Sequence, residues 1–271
     1  MDGFAHLLAP VSVTDFRRDY LGRTPLHIPA DAGAARREVL DWSAFNTLLE
    51  QRTQWTAETL RLVNNRKAVT PAEYCRQEAS PTGMVQRPSP DKVQIHLAGG
   101  ASLVANEVQS LHGPIRDVTK ALSRAFAAKV GANIYCSFRG VQAFGAHFDN
   151  HDVFAIQTEG EKRWRLYEGQ VEMPVDLPPD TPETRAWLEN SKGRLLSEIV
   201  TRPGDLLYIP RGRFHEAIAV DEASLHVTFS VTPLYGRIIF SLLDNAAMQF
   251  PEFRRYFPPA WDDQGQPLKT H

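Results

Sequence analysis

The fold class rests on LHVTFSVT at residues 225–232, the most regular strand pattern in the chain. Apolar and polar residues alternate along this segment, and side chains two positions apart in a strand lie on the same face. The apolar face consists of Leu225, Val227, Phe229 and Val231, and the polar face of His226, Thr228, Ser230 and Thr232. Such a polar face is either solvated or turned into the lumen of a small ligand-holding barrel.

Short strands of the same kind precede this segment. The sequence alternates at 131–137 and 162–167, and 206–209 is a short apolar run between two turns. Further upstream, apolar residues recur at three- and four-residue spacing, which predicts a helix at about 114–129. We therefore predict a mainly β protein with a sandwich or barrel over 131–232.

The order of these patterns predicts three regions. Residues 1–130 form an N-terminal helical and extended region that packs on the barrel, 131–235 form the barrel core, and 236–271 form a short helical tail. Residues 77–92 are rich in Pro, Ser and charged side chains, so we predict a surface loop or a mobile flap there.

The composition argues against several classes of protein. The 271 residues are 42% apolar and carry 30 basic against 32 acidic side chains without a long block of one sign, so we expect no direct nucleic-acid binding. We find neither a secretory signal pattern nor a run of about 18 apolar residues that could span a membrane. Two cysteines, Cys75 and Cys136, cannot form a disulfide framework. These features predict a soluble, cytoplasmic protein.

Two histidines and one carboxylate form the candidate metal site. His147 and Asp149 are two residues apart and so share one face of a strand, while His215 must come from another strand. This ligand set, placed on one side of a metal, is the arrangement of non-haem Fe(II) oxygenases, in which the other side stays open. The His-x-Asp pair alone is a weak signal, because nine histidines in one chain produce such pairs by chance.

Four motifs, in order along the chain, resemble those of a known family. They are N-x-Y-x-S at 133–137, H-F-D-N-H-D-V-F-x-x-Q-x-x-G-x-K-x-W at 147–164, G-D-x-x-Y-x-P-x-G-x-x-H at 204–215 and H-V-T-F-S at 226–230. The chain is similar to the JmjC-type, cupin-fold 2-oxoglutarate oxygenases, and within them to the ribosomal oxygenase branch. The opening segment LLAPVSVTDFRRDYLGRTPLHIP is similar to that branch as well. The resemblance implies a double-stranded β-helix, the jelly-roll barrel of cupins.

The resemblance also implies the cofactors and the residues that hold them. It implies Fe(II) bound by His147, Asp149 and His215, with O2 and the cosubstrate 2-oxoglutarate on the open side. It implies Lys162 as the cation that pairs with the distal carboxylate of 2-oxoglutarate. The local pattern agrees, because Lys162 shares a strand face with Trp164 and a lysine turned into a barrel needs an anionic partner.

Four strand residues occupy positions that match the family's ligand contacts. The resemblance implies that Asn133 and Thr228 hydrogen-bond the cosubstrate and that Tyr135 and Ser230 contact the substrate, although ordinary strand polarity explains these residues nearly as well. His151 would share the face of the metal ligands in a straight strand. We expect it to lie beside the site without binding the metal, because a further ligand would close the position that O2 needs.

The implied reaction is hydroxylation of an amino-acid side chain in a peptide, a protein or a small amino-acid-derived substrate, with release of succinate and CO2. About 39 residues follow Thr232, which is enough for helices that pair two subunits in a homodimer but too few for the winged-helix domain that follows the barrel in the ribosomal oxygenase branch. The substrate therefore stays open between a ribosomal protein, a natural-product peptide and a free or carrier-bound amino acid.

Two functions of other classes remain as alternatives. A non-catalytic cupin module would bind a metal or small ligand, but the complete set of ligand residues and Lys162 argues against it. A cupin isomerase or epimerase would need no O2, and there Lys162 would have no dicarboxylate to bind.

Overall fold

The computed structural model describes residues 2–30, 34–64, 67–81, 83–138, 145–256 and 266. Its strands are β1 (Leu26–Ile28), β2 (Leu60–Asn64), β3 (Lys67–Ala68), β4 (Cys75–Ser80), β5 (Gly83–Pro88), β6 (Ser102–Ala105), β7 (Ala128–Phe138), β8 (Asp152–Glu159), β9 (Lys162–Gln170), β10 (Leu195–Thr201), β11 (Leu206–Ile209), β12 (Arg213–Ala219) and β13 (Ala223–Pro233).

Its α-helices are α1 (Asp2–Leu8), α2 (Val13–Asp15), α3 (Trp42–Glu50), α4 (Pro71–Tyr74), α5 (Pro90–Ala98), α6 (Gly113–Phe126), α7 (Pro182–Ser191) and α8 (Ile238–Ala247). The helix predicted at about 114–129 is α6, whose apolar stripe includes the buried Ile115 and Leu122. None of the helices in the described ranges combines the length and apolar character that crossing a bilayer requires.

Eleven of these strands form two facing antiparallel sheets. The larger sheet has the order β1-β11-β8-β13-β7-β6-β2-β3, and the smaller sheet has the order β10-β9-β12. A β-bridge between His147 and His215 adds the segment before β8 to the edge of the smaller sheet. The long central pairing of β13 with β7 and β8 places the strand that carries LHVTFSVT in the middle of the larger sheet.

The two faces of the larger sheet have different partners. Its apolar face, which includes Val227 and Phe229 of β13, joins the main hydrophobic core with residues of α1, α3 and α6. On the opposite face, Val153 and Ala155 of β8 pack against Trp164 of the smaller sheet. This space between the sheets is the lumen of the jelly roll. The predicted fold class, a mainly β jelly-roll barrel with helical additions, is confirmed.

The prediction of a loop at 77–92 is wrong, because most of this segment forms a β-hairpin and the start of a helix. Strands β4 and β5 pair from Cys75–Pro88 to Ser80–Gly83 as a separate two-stranded sheet, and α5 begins at Pro90. Most of the hairpin's side chains are exposed or half-buried. Backbone pairing does not need an apolar face, so the polar composition that predicts a loop is also compatible with an exposed hairpin.

The described residues from Leu234 onward form a second compact unit. Its helix α8 is followed by a short 3-10 turn at Pro251–Arg254. Large apolar side chains on this unit are exposed, among them Ile239, Phe240, Leu242 and Leu243. An apolar surface of this kind typically marks an interaction site.

Candidate active site

The structure brings the three predicted metal ligands together. One ligand atom each of His147, Asp149 and His215 lies within 4.8 Å of the others. The two imidazole centroids are 4.5 Å apart, and His215 Nε2 lies 3.5 Å from Asp149 Oδ2. Ligand atoms sit about 2.0–2.3 Å from a transition metal, so three atoms this close together can hold one ion.

Backbone carbonyl groups orient both imidazoles. Nδ1 of His147 lies 2.8 Å from the Gly145 carbonyl oxygen, and Nδ1 of His215 lies 3.0 Å from the Arg213 carbonyl oxygen. A carbonyl oxygen only accepts hydrogen bonds, so each Nδ1 carries the proton and each Nε2 presents a lone pair. This arrangement is the one that metal-binding histidines commonly use.

The charges at this cluster favour metal binding. Burial, with a smaller contribution from His147, lowers the pKa of His215 to about 4, so its imidazole is neutral at neutral pH. Burial alone would raise the pKa of Asp149, but the neighbouring histidines, His215 above all, hold that pKa below its usual value. The cluster therefore offers neutral imidazole nitrogen together with an ionised carboxylate, as a divalent transition metal requires.

Hydrogen bonds join the two segments that carry the ligands. The His147 amide donates to the His215 carbonyl at 3.0 Å, and the His215 amide donates back at 2.8 Å. One turn earlier, the Gly212 amide donates to the Asp149 carbonyl at 2.9 Å. Gly212 has φ +81°, and a Cβ there would lie 2.0 Å from the Val171 carbonyl oxygen. Only glycine fits this turn, which delivers His215 to its place.

Lys162 is a buried cation at the opposite end of the lumen. It is 4% exposed, and its Nζ lies 3.3 Å from His226 Nδ1 and 5.9 Å from the centre of the Tyr135 ring. Within the described ranges no carboxylate forms an ion pair with it, and burial lowers its pKa to about 7. An unpaired buried ammonium is costly, so this position suits an anion that a ligand supplies.

The strand register sets the distance between the two ends. On β9 and β12, Leu166 pairs with His215 and Lys162 pairs with Ala219, so the two rows are four residues apart. At 3.3 Å per residue this interval is about 13 Å, of which the lysine side chain spans a part. Trp164 lies between the rows, with its ring 6.2 Å from that of His215. An elongated ligand with one end at the metal cluster and an anionic end at Lys162 fits this arrangement.

The four predicted ligand-contact residues lie on the two central strands of the larger sheet. Thr228 pairs with Asn133, and Ser230 pairs with Gly131, whose carbonyl oxygen accepts a bond from the serine hydroxyl at 3.4 Å. Asn133 hydrogen-bonds the Tyr135 side chain. Burial, followed by the charge of Asp149, raises the pKa of Tyr135 to about 12.

The charge of Asp149 thus acts on the Tyr135 hydroxyl, while the Tyr135 ring stacks on His226 with 4.8 Å between centroids. Asn133 Oδ1 also accepts a bond from the Glu107 amide at 3.2 Å. The donor of this hydrogen bond, Glu107, has a left-handed backbone conformation with φ 59°. Non-glycine residues in that conformation are uncommon and occur at functional sites more often than elsewhere.

His151 lies beside the cluster but outside the group of ligand atoms that meet. Its Nδ1 is 3.3 Å from the Asp152 carbonyl oxygen, and its charge makes the smallest of the three histidine contributions to the pKa of Asp149. The candidate metal group among the described residues comprises His147, Asp149 and His215.

Gln157, for which the sequence predicts no role, closes the lumen behind Lys162. Its Nε2 donates to the Gly160 carbonyl oxygen at 3.1 Å and to Ser224 Oγ at 2.9 Å, and its Oε1 accepts from Thr201 Oγ1 at 3.2 Å. The threonine hydroxyl also contacts the Lys162 carbonyl oxygen. A glutamine at the end of the apolar run 153–156 was the available signal, because a buried amide needs several partners.

Comparisons with known proteins give a consistent result. Residues 110–237 match the family model described as the JmjC domain. A bifunctional lysine-specific demethylase and histidyl-hydroxylase NO66 of Dictyostelium discoideum is 28% identical over 261 residues, 94% of this chain and 48% of that protein. Ribosomal oxygenase 1 of Danio rerio is 27% identical over 262 residues, 94% of this chain and 46% of that protein. The chain thus spans less than half the length of these curated relatives.

Solved structures show the same fold. The structure of ycfD of Escherichia coli has a TM-score of 0.60 and 22% identity, covering 96% of this chain and 62% of that one. The structure of YcfD, a ribosomal oxygenase from Escherichia coli, in complex with cobalt and 2-oxoglutarate has a TM-score of 0.57 and 21% identity, covering 97% of this chain and 62% of that one.

Proposed function

We propose that residues 110–237, which match the JmjC domain model, form such a domain, and that the chain is an Fe(II)- and 2-oxoglutarate-dependent oxygenase. The proposed reaction hydroxylates an amino-acid side chain and releases succinate and CO2. The observation that carries the proposal is the pairing, in one lumen, of a two-histidine, one-carboxylate cluster with a buried lysine.

The donor set fits the proposed metal. His147, Asp149 and His215 would hold Fe(II) on one side, and a nitrogen and oxygen set with open positions suits non-haem iron. Bound iron would supply O2 activation coupled to oxidative decarboxylation of the 2-oxo acid. The protein's own contribution is to hold ligands and substrate in place and, through burial, to keep the imidazole of His215 neutral.

Lys162 distinguishes this proposal from the alternatives. Its ammonium would bind the distal carboxylate of 2-oxoglutarate, which would balance a buried charge that no described carboxylate balances. A metal-binding module or an isomerase has no need for a buried lysine whose backbone lies four residues along the strands from the row of His215.

We assign the polar residues between the two ends to ligand and substrate contacts. Asn133 and Thr228 would hydrogen-bond the cosubstrate, while Tyr135 and Ser230 would face the substrate. The nearness of Tyr135 to the charge of Asp149 supports its place near the reacting centre.

The proposed substrate is an amino-acid side chain of a peptide or protein. Two relatives, a histidyl-hydroxylase and a ribosomal oxygenase, support this class of substrate. Screening peptides and free amino acids for a mass increase of one oxygen atom would identify the substrate. It would also show whether the substrate is a peptide or protein, or a free amino acid.

The direct test is succinate formation from 2-oxoglutarate by the protein with Fe(II), ascorbate and air. We expect succinate above the level of an Asp149→Ala control, even without the substrate. Binding of 2-oxoglutarate to the Mn(II)-loaded protein, measured by calorimetry, is the second readout. A protein that neither forms succinate nor binds 2-oxoglutarate would contradict the proposal.

We also propose a homodimer formed through residues 236–257. The exposed apolar side chains of α8 support it, because a contiguous apolar surface is costly in water. Sedimentation should show a dimer that Phe240→Glu weakens. Met84→Glu, a matched change at an exposed residue of the β4–β5 hairpin, should leave the assembly state unchanged. A monomer at high concentration would contradict this part of the proposal.

A further inference from the structure

His226 faces Lys162 across the closed end of the lumen. Both side chains are at least 95% buried, and Nδ1 of the imidazole lies 3.3 Å from Nζ of the lysine. An ammonium group only donates hydrogen bonds, so Nδ1 must be the acceptor. The imidazole is therefore neutral when it holds the charged lysine.

We propose that His226 is a positioning residue that aims the Lys162 ammonium at an incoming carboxylate. The inference rests on the proposed function and deepens it, because it concerns how the site recognises the second carboxylate of a dicarboxylate cosubstrate. The histidine does not itself need to touch the ligand.

A neutral acceptor has an advantage that a carboxylate at position 226 would lack. An aspartate or glutamate would pair with Lys162 and compete with the carboxylate of the ligand for the same ammonium. An imidazole takes one N–H and leaves the positive charge, with its remaining N–H groups, for the ligand. Lys162 is thereby held in direction while its charge stays available.

The surroundings keep His226 neutral and fix its ring. Burial, followed by the charge of Lys162, lowers its pKa well below the usual value. The ring stacks on Tyr135 with 4.8 Å between centroids and 8° between planes. Trp164 meets the same ring edge to face at 5.6 Å and 81°. Two aromatic neighbours at right angles leave the imidazole little freedom, so the direction of its Nδ1 lone pair is set.

Trp164 also connects this end of the lumen with the metal cluster, since its ring lies 6.2 Å from that of His215. The distance between the ammonium and the metal ligands is therefore fixed by packed aromatic rings. This rigidity lets the site select a dicarboxylate of one length.

The test compares two variants and two ligands. His226→Phe keeps an aromatic ring on Tyr135 but removes the acceptor, and His226→Asn keeps an acceptor near the Nδ1 position but removes the ring. The ligands are 2-oxoglutarate and 2-oxopentanoate, which has the same chain length but no second carboxylate. Calorimetry on the Mn(II)-loaded protein measures both affinities.

We expect His226→Phe to weaken 2-oxoglutarate binding about tenfold, the effect of one charge-assisted hydrogen bond, and to leave 2-oxopentanoate binding unchanged. The Asn variant should keep the preference for 2-oxoglutarate within about threefold of the unchanged protein. A purely structural role would weaken both ligands equally.

Three outcomes would overturn the inference. They are an unchanged preference for 2-oxoglutarate in His226→Phe, an equal loss for both ligands, and failure of the unchanged protein to bind 2-oxoglutarate. The last result contradicts the proposed function as well, and so is distinct from the first two. If His226→Phe does not fold, His226→Leu gives the same comparison, because leucine also lacks an acceptor.

Discussion

The two ends of the lumen carry opposite charges. At the metal end the protein supplies the negative charge, on Asp149, together with two imidazoles, and the proposed ligand is a cation. At the lysine end the protein supplies the positive charge and holds it with the neutral His226, and the proposed ligand is an anion. In each case one charge has no partner of opposite sign among the described residues until a ligand binds. This charge destabilises the unliganded fold, and pairing it contributes to the affinity for the ligand.

The ends also differ in how the chain builds them. The metal ligands come from two segments that bond to each other through backbone groups, and a glycine turn is required next to His215. The lysine end is held by side chains, with Tyr135 and Trp164 around His226. We therefore expect substitutions at the metal end to affect all chemistry, and those at the lysine end to affect the choice of cosubstrate.

The largest effect is expected at the metal end. Asp149→Ala should abolish succinate formation and metal-dependent ligand binding, because it removes the anionic ligand from a three-ligand site. The unfolding free energy without metal should change by less than about 1 kcal/mol, since the carboxylate serves the site and not the core.

Asp176→Ala, at an exposed aspartate, is the control and should keep full activity. Calorimetry with Mn(II) and urea unfolding give the two readouts. Turnover in Asp149→Ala equal to that of the unchanged protein would remove Asp149 from the metal site.

At the lysine end, Lys162→Met should weaken 2-oxoglutarate binding about 10- to 100-fold, the range for a lost charge-assisted interaction. The same change should not lower the stability of the unliganded protein, because it removes an unpaired buried charge and keeps the side-chain volume. Calorimetry and thermal unfolding measure these opposite effects.

Lys120→Met, on the exposed side of α6, serves as the matched control. It should change neither the affinity nor the melting temperature. An unchanged affinity in Lys162→Met would assign the buried lysine to the scaffold alone.

The pH dependence of binding should separate the two ends further. Burial lowers the pKa of Lys162 to about 7, and a carboxylate binds its protonated form. The affinity for 2-oxoglutarate relative to 2-oxopentanoate should therefore be constant well below pH 7 and fall above it, towards a limit of about tenfold per pH unit.

Burial raises the pKa of Tyr135 to about 12 and that of Cys136 to about 11, so neither group titrates in this window. Calorimetry in buffers of different ionisation heat should show proton uptake on binding above pH 7. A ratio of affinities that does not vary with pH would contradict the ionisation assigned to the lysine.

The smallest effect is expected at His151, which lies next to the metal end without joining it. His151→Ala should change turnover and 2-oxoglutarate affinity by no more than about twofold, the range of a substitution that breaks no essential contact. A large loss of bound metal in this variant would place His151 among the metal ligands and contradict the three-ligand site at the metal end.

Much of the fold followed from local pattern. The alternation at 225–232 predicted both the strand and its two faces, and the helical spacing predicted α6. The same logic failed at 77–92, because composition reports solvent exposure and not whether two exposed segments pair. The pairing of Cys75 with Pro88 depends on both strands of the hairpin, so the pattern of either strand alone does not predict it.

For the site, the sequence by itself determined the residue types and their order: His147 and Asp149 on one strand face, a later His215, and Lys162 on the face of Trp164. Only the tertiary structure decided that His215 pairs with His147, that Gln157 closes the lumen, and that His226 meets the lysine ammonium. The physical reason is that strand periodicity fixes the face on which a side chain lies, whereas sheet register and the packing of one sheet on another fix what it meets there.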